Sequence, residues 1–226
     1  MLMLKHLTSY CLAAAVLPAF VSCSSIPSSH RSAPMVSFNP ASIPLVERSS
    51  SSLKRECNIK QIPLPASNPV RQRSIPMKPQ FVTVHSTQNY GADALQHARA
   101  MNNGVLRHAW HFTIDPRITV QHISLNESGR HADSGGPGDK FSIGIEMCER
   151  QGDNLVSTFD RTAKTVAILM KEYDIPLRNV VPHYYWTKKN CPIVLMDGGR
   201  PGFKWSWFLS RIDYYYRCIN KGRSAL

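Results

Sequence analysis

Reactive residue types concentrate in the segment VVPHYYWTKKNCP, where His183 and Cys191 lie eight positions apart and Lys189 sits two before the cysteine. An imidazole and a thiolate in a proline-bounded loop can supply two ligands to one metal ion, and the nearby ammonium can hold negative charge that develops beside it. His85 ends an alternating stretch, FVTVH, far upstream and is the natural third donor. Three protein donors leave the fourth position of a tetrahedral ion open, which separates a reactive centre from a closed structural one. A plainer reading stands beside this one: a loop histidine at the surface and an unrelated buried thiol.

Positioning these residues needs regular elements, and the hydrophobic pattern supplies them. In Phe81 to His85, Val82 and Val84 share one face, while Phe81, Thr83 and His85 share the other, as in a strand. A helical pattern over 92–102 stops at Gly104. His108 to Ile114 alternates, Asp115-Pro116 turns the chain, and Thr119 to Ile123 follows as a hairpin partner. Gly129 to Asp139 is a glycine-rich loop. In SIGIEMC (142–148), Ile143, Ile145 and Met147 face one way, so Glu146 projects with Gly144 and Cys148 from the opposite side.

Asp160 is predicted to cap a helix carrying Ala163, Val166, Ala167, Met170 and Tyr173, ended by Pro176. Trp205, Phe208, Leu209, Ile212, Tyr215 and Ile219 predict a last amphipathic helix whose aromatic stripe packs in the core. The order β-α-β-β-β-α-α predicts an α/β fold with a mixed central β-sheet flanked by helices.

The 226 residues carry 27 Lys+Arg against 15 Asp+Glu, a net charge of +12. Such a balance favours anionic partners: nucleic acid, anionic lipid or a cell-wall polymer. The cations are scattered, and no DNA-binding helix pair or RNA-binding aromatic signature accompanies them, so no nucleic-acid partner is expected. Lys5 and His6 precede an apolar run that ends at Ser22-Cys23, giving a signal peptide over 1–22. Ser22-Cys23 resembles a bacterial lipobox with Cys23 as the lipidated residue, although Phe20 stands where leucine is usual. A single uncleaved anchor helix is the competing interpretation.

Residues 23–76 are rich in Ser and Pro and predict a disordered tether, leaving 77–220 as the folded domain. Cys57, Cys148, Cys191 and Cys218 remain for the mature chain, and four cysteines allow three full pairings. With Cys191 on a metal, at most one disulfide can form among the other three, and Cys57 with Cys218 is a conceivable pair.

Five blocks, VTVHST, WHFTID, RHADSGGPG, SIGIEMCE and VVPHYYWTKKNCP, follow one another as in the zinc-dependent N-acetylmuramoyl-L-alanine amidases of the amidase-2 group. The group includes phage T7-lysozyme-like enzymes, anhydro-muramoyl-peptide amidases and peptidoglycan recognition proteins. This chain resembles them from about Lys78 to Phe208. The resemblance implies a peptidoglycan recognition protein-like fold and a Zn2+ cofactor held by His85, His183 and Cys191. It implies Glu146 as general base toward the attacking water and Lys189 as the cation that stabilises the oxyanion.

His131 matches a substrate-pocket histidine of the group, preceded by Arg130 where an aromatic is frequent. Trp110 stands where the phage enzymes carry a catalytic tyrosine, so it is assigned with His131 to substrate binding and the base falls to Glu146. His97 and His111 are expected to be structural or surface residues, and Glu149 to be solvated.

The implied reaction is hydrolysis of the amide between N-acetylmuramic acid and L-alanine in peptidoglycan or its muropeptide fragments. The apolar run and the Ser22-Cys23 pair predict an exported, periplasmic lipoprotein anchored to the membrane, and the protein is expected to be monomeric. Two alternatives share the resemblance. One is a peptidoglycan-binding module without hydrolysis, disfavoured by Cys191 because non-catalytic relatives typically lose that ligand. The other is a zinc peptidase that cuts within the stem peptide.

Overall fold

The computed structural model describes residues 43–104 and 106–223. A mixed sheet of six strands comprises β1 (Ile59–Gln61), β2 (Phe81–Ser86), β3 (Phe112–Ile114), β4 (Thr119–Gln121), β5 (Ser142–Met147) and β6 (Val180–Pro182). Their spatial order is β1-β4-β3-β5-β2-β6. The β3–β4 hairpin is antiparallel and the other pairings are parallel. The helices are α1 (Ser50–Cys57), α2 (Ala94–Asn102), α3 (Pro137–Phe141), α4 (Leu155–Tyr173), α5 (Tyr184–Thr187) and α6 (Phe203–Ile219). A short hairpin of β7 (Met196–Asp197) and β8 (Arg200–Pro201) leads into α6.

Strand alternation decides which face does what. Val82, Val84, Phe112, Ile114, Ile143, Ile145 and Met147 enter one core with Ala163, Val166, Ala167 and Met170 of α4. Trp205, Phe208, Ile212, Tyr215 and Ile219 of α6 complete it, so the aromatic stripe is packing. Each fully buried Val, Ile, Met or Phe among them contributes roughly 1.5–3 kcal/mol by leaving water. Thr83, His85, Gly144 and Glu146 alternate with these residues and therefore point to the opposite face, where the chemistry lies.

Several elements depart from the expectation. The tether predicted over 23–76 gives way to folded structure from Ser50 onward. Its serine run is a helix start: the Ser49 hydroxyl accepts a hydrogen bond from Ser52 N at 3.1 Å, and Leu53 and Cys57 form an apolar stripe buried against α4. The chain then adds β1 to the sheet, with Ile59 opposite Thr119. Residues 1–42, including the proposed signal peptide and Cys23, lie outside the described residues.

Asp160 is not a cap. Asn154 caps α4 by accepting from Ser157 N at 3.2 Å, and Asp160 lies farther along, paired with Lys164 at 2.8 Å and with Arg211 and Tyr215 of α6. A carboxylate with Lys164 one turn along its own helix, and a guanidinium and a hydroxyl facing it from α6, has no reason to seek the helix end. VVP, expected as part of a loop, forms β6 beside β2. The conceivable Cys57–Cys218 disulfide is absent. Cys57, Cys148, Cys191 and Cys218 are all buried free thiols, and Cys57 accepts a hydrogen bond from Thr165 Oγ1 at 3.4 Å.

Because Leu53 of α1 is buried against α4, Leu53→Ala is expected to cost about 3 kcal/mol by leaving a cavity there. Urea denaturation measures this directly; a loss near zero would return the segment to the status of a tether.

Candidate metal centre and active site

Three adjacent parallel strands deliver the site at their carboxyl ends, where ligands of open α/β sheets bind. His85 on β2 stands opposite Glu146 on β5, so both side chains leave the sheet on one face. His183 follows β6 directly, and its backbone N–H donates to the Val84 carbonyl at 3.2 Å. The chain then makes the single turn α5 and returns: Tyr184 N donates to the Cys191 carbonyl at 3.2 Å. This closure brings the thiol back to the histidines, with Cys191 Sγ 3.8 Å from His85 Nδ1. Donor atoms of His85, His183 and Cys191 all lie within 4.8 Å of one another, and all three residues are buried.

The unsatisfied atoms of this cluster fit a metal ion. His183 Nδ1 is buried without a hydrogen-bond partner, while the ring bonds the Ala132 carbonyl. Burial, assisted by the neighbouring His131 and His183, holds the His85 pKa well below the usual imidazole range. Burial and the Lys189 charge take His183 down to about 4. Both imidazoles are therefore neutral at pH 7 and keep a lone pair. Burial and the Glu146 charge push the Cys191 thiol up to about 12, so an ion entering here must displace its proton. Two imidazoles and one thiolate form a donor set suited to zinc.

Glu146 is partly buried, and its Oε2 has no hydrogen-bond partner. Burial raises its pKa to about 8, against the opposing charge of Lys189 and with help from Glu149. Glu149 itself is buried rather than solvated. The strand ends at Met147, so alternation no longer dictates where Glu149 points. Lys189 is exposed on the wall of the same cleft, whose volume is about 660 Å³.

The structure brings His131 and Trp110 to this cleft as well. Trp110 is a wall: it is buried among Leu64, Val70, Met101 and Ile123, and its indole N–H donates inward to Thr113 Oγ1 at 2.7 Å. His131 lies against His85, Nδ1 to Nε2, at 3.0 Å. His111 is structural, accepting from Gly144 N at 2.9 Å and donating to the Glu127 carbonyl at 2.9 Å. His97 is also buried, bonded to the Asp93 carbonyl at 2.8 Å.

Two features escaped sequence reasoning. Arg73, Arg107 and Arg130 line the cleft, yet Arg73 lay in a stretch assigned to the tether. Asp139 binds three backbone N–H groups of the His131 loop, those of His131 and Ala132 at 2.7 Å and of Gly135 at 2.6 Å. Burial alone would raise its pKa, but those N–H groups and the nearby His131 outweigh burial and hold it below the usual range.

Known proteins share this architecture. A family model described as N-acetylmuramoyl-L-alanine amidase matches residues 75–193, more than half of the chain. The N-acetylmuramoyl-L-alanine amidase XlyA of Bacillus subtilis (strain 168) is 42% identical over 139 residues, 60% of this chain and 46% of that protein. CwlH of the same organism, also an N-acetylmuramoyl-L-alanine amidase, is 39% identical over 159 residues, 69% of this chain and 61% of its own length. The chain thus spans about half to three-fifths of these relatives. The solved catalytic domain of XlyA superposes with a TM-score of 0.64 at 39% identity, covering 69% of this chain and 99% of that domain. A mutant endolysin from Bacillus subtilis does so with a TM-score of 0.64 at 40% identity, covering 69% and 98%. With its five sequence blocks folded into one cleft and this likeness along the same residues, the chain belongs to the amidase-2 family of N-acetylmuramoyl-L-alanine amidases.

Proposed function

We propose that this protein is a zinc-dependent hydrolase that cleaves the amide between N-acetylmuramic acid and L-alanine in peptidoglycan or its muropeptide fragments. The observation that carries the proposal is the register of β2 with β5, which stands Glu146 beside His85 at the edge of the His85–His183–Cys191 donor set. When bound there, zinc supplies Lewis acidity, which lowers the pKa of water toward about 7 and polarises the scissile carbonyl.

Glu146 holds and moves the proton in its ionised form, which the Lys189 charge favours and a cation held by His85, His183 and Cys191 would favour further. Its unpartnered Oε2 accepts the proton from the attacking water and passes it to the leaving amine. Lys189 faces the cleft and stabilises the negative charge that develops on the carbonyl oxygen, a contribution of about 3 kcal/mol. Arg73, Arg107 and Arg130 give the cleft a cationic lining suited to an anionic cell-wall substrate.

We extend the proposal to location. The apolar run after Lys5 and the Ser22-Cys23 pair support export to the periplasm and membrane anchoring through lipidated Cys23. Cys23→Ser is expected to move the protein from the membrane pellet to the soluble fraction. Unchanged pelleting would remove the anchor from this account.

Incubating the purified protein with muropeptides tests the reaction. Free stem peptide, identified by mass, is the expected product, lost on chelation and restored by zinc. Cleavage inside the stem would redirect the assignment to a peptidase. Glu146→Ala retains zinc and loses turnover, whereas Cys191→Ser weakens zinc binding itself; full activity in Glu146→Ala would overturn the assignment of the base.

The shifted carboxyl also has a thermodynamic signature in the metal-free protein. Because Glu146 titrates at about 8 when folded and near 4.5 otherwise, the folded state binds the extra proton between these values. Stability from this group is full below pH 4.5 and is lost as pH rises to about 8. Denaturation in the presence of chelator is expected to show this loss in the wild type and a smaller one in Glu146→Gln. Identical pH profiles would place the Glu146 carboxyl in the ordinary range.

A further inference from the structure

The loop from Gly129 to Asp139 touches the metal donors from behind. His131 Nε2 lies 3.3 Å from the Ser142 carbonyl, and His131 Nδ1 lies 3.0 Å from His85 Nε2. A carbonyl only accepts, so His131 Nε2 carries the ring proton and a neutral His131 presents a lone pair at Nδ1. His85 Nε2 must then donate to that lone pair. The lone pair of His85 is left on Nδ1, the nitrogen that faces Cys191 Sγ at 3.8 Å. Each proton position follows from the one before, starting at a backbone carbonyl of β5.

Space enforces the same arrangement. A Cβ at Gly144 would come within 2.6 Å of the His131 ring, and a Cβ at Gly129 within 2.7 Å. The ring thus stands in a slot that two glycines leave open, at 89° to the His85 ring. Asp139 holds the entrance of the loop through the backbone N–H groups of His131 and Ala132. The Ala132 carbonyl in turn bonds the His183 ring. One loop therefore steadies both histidines of the donor set. Both nitrogens of His131 are engaged within the protein, which leaves neither for a substrate.

We propose that His131 is a positioning residue of the metal centre, holding His85 in the tautomer and ring orientation whose Nδ1 meets the ion, with Asp139 fixing the loop that carries it. This rests on the zinc reading above and replaces the substrate-pocket role that the family resemblance implied for His131. Partners of this kind behind metal-ligating histidines are worth tenfold to a hundredfold in metal affinity.

The test uses the full chain, with zinc affinity from competition against a chelator and thermal unfolding of the zinc-free form. His131→Phe keeps a ring in the slot but removes the acceptor; His131→Asn places an amide oxygen where Nδ1 stood; His131→Gln places it where Nε2 stood. The expected result is zinc affinity about tenfold to a hundredfold weaker in His131→Phe. Affinity should be close to wild type in His131→Asn and weak in His131→Gln, with similar zinc-free melting for all variants. Wild-type affinity in His131→Phe overturns the proposal. Equal weakening in His131→Asn and His131→Gln also overturns it, in favour of simple packing, and this pair decides the matter even where His131→Phe does not fold. A wild-type protein that binds no zinc fails the zinc reading itself, before any variant is compared.

Discussion

Parallel registration of β2 with β5 on one side and β6 on the other sets where every reactive atom can lie. Parallel neighbours end at one edge of the sheet, so residues at matched register leave it together and on the same face. His85 and Glu146 are such a pair, and His183 follows the last residue of β6. A slip of one position in either pairing would carry a donor through the sheet into the apolar core. The core prevents that slip, because Val82, Val84, Ile143 and Ile145 would then be turned out toward the cleft. Packing on one face is what aligns chemistry on the other.

Much of this was legible in the chain itself. Alternation in FVTVH and SIGIEMC assigned both faces of β2 and β5, and helical spacing located α2, the body of α4 and the buried stripe of α6. These patterns are local, and burial on one side writes them directly into residue order. What stayed hidden depends on partners distant in sequence. The serines before Leu53 suggest low complexity until α4 supplies the surface that Leu53 and Cys57 cover. Asp160 has the residue type of a cap, and only the approach of Arg211 and Tyr215 from α6 gives it another task. β6 is three residues of an edge strand, too short for a period to declare itself.

The site shows the same division. Donor types and their spacing pointed to His85, His183 and Cys191, and the structure gathers them. Asp139 could have been suspected from RHADSGGPGD alone, since an aspartate closing a glycine-rich loop can take backbone N–H groups. Nothing in the sequence says which N–H groups these are. Arg73 belongs to no family block, and it reaches the cleft because the segment before β2 packs beneath Trp110 through Leu64 and Val70. The family model begins at residue 75 and leaves that contribution outside it.

The cationic lining of the cleft has a further consequence. Ion pairs among the described residues lie elsewhere, on α1, α4 and α6, around Asp93, Arg117 and Asp153, and at Arg71–Glu127 and Lys204–Asp197. Asp133 and Asp139 also line the cleft but turn their oxygens to backbone N–H groups of the His131 loop, so Arg73, Arg107, Arg130 and Lys189 outnumber them and leave a net cationic field at the mouth. At physiological ionic strength such fields reach about 8 Å before counter-ions damp them, and at low salt they reach several times farther. Under the proposed function, capture of a charged, slowly diffusing polymer would be governed by that reach, whereas the hydrolytic step, shielded among buried donors, would not. Ionic strength should therefore act on how often this cleft meets its substrate and leave the rate of turnover inside it nearly untouched.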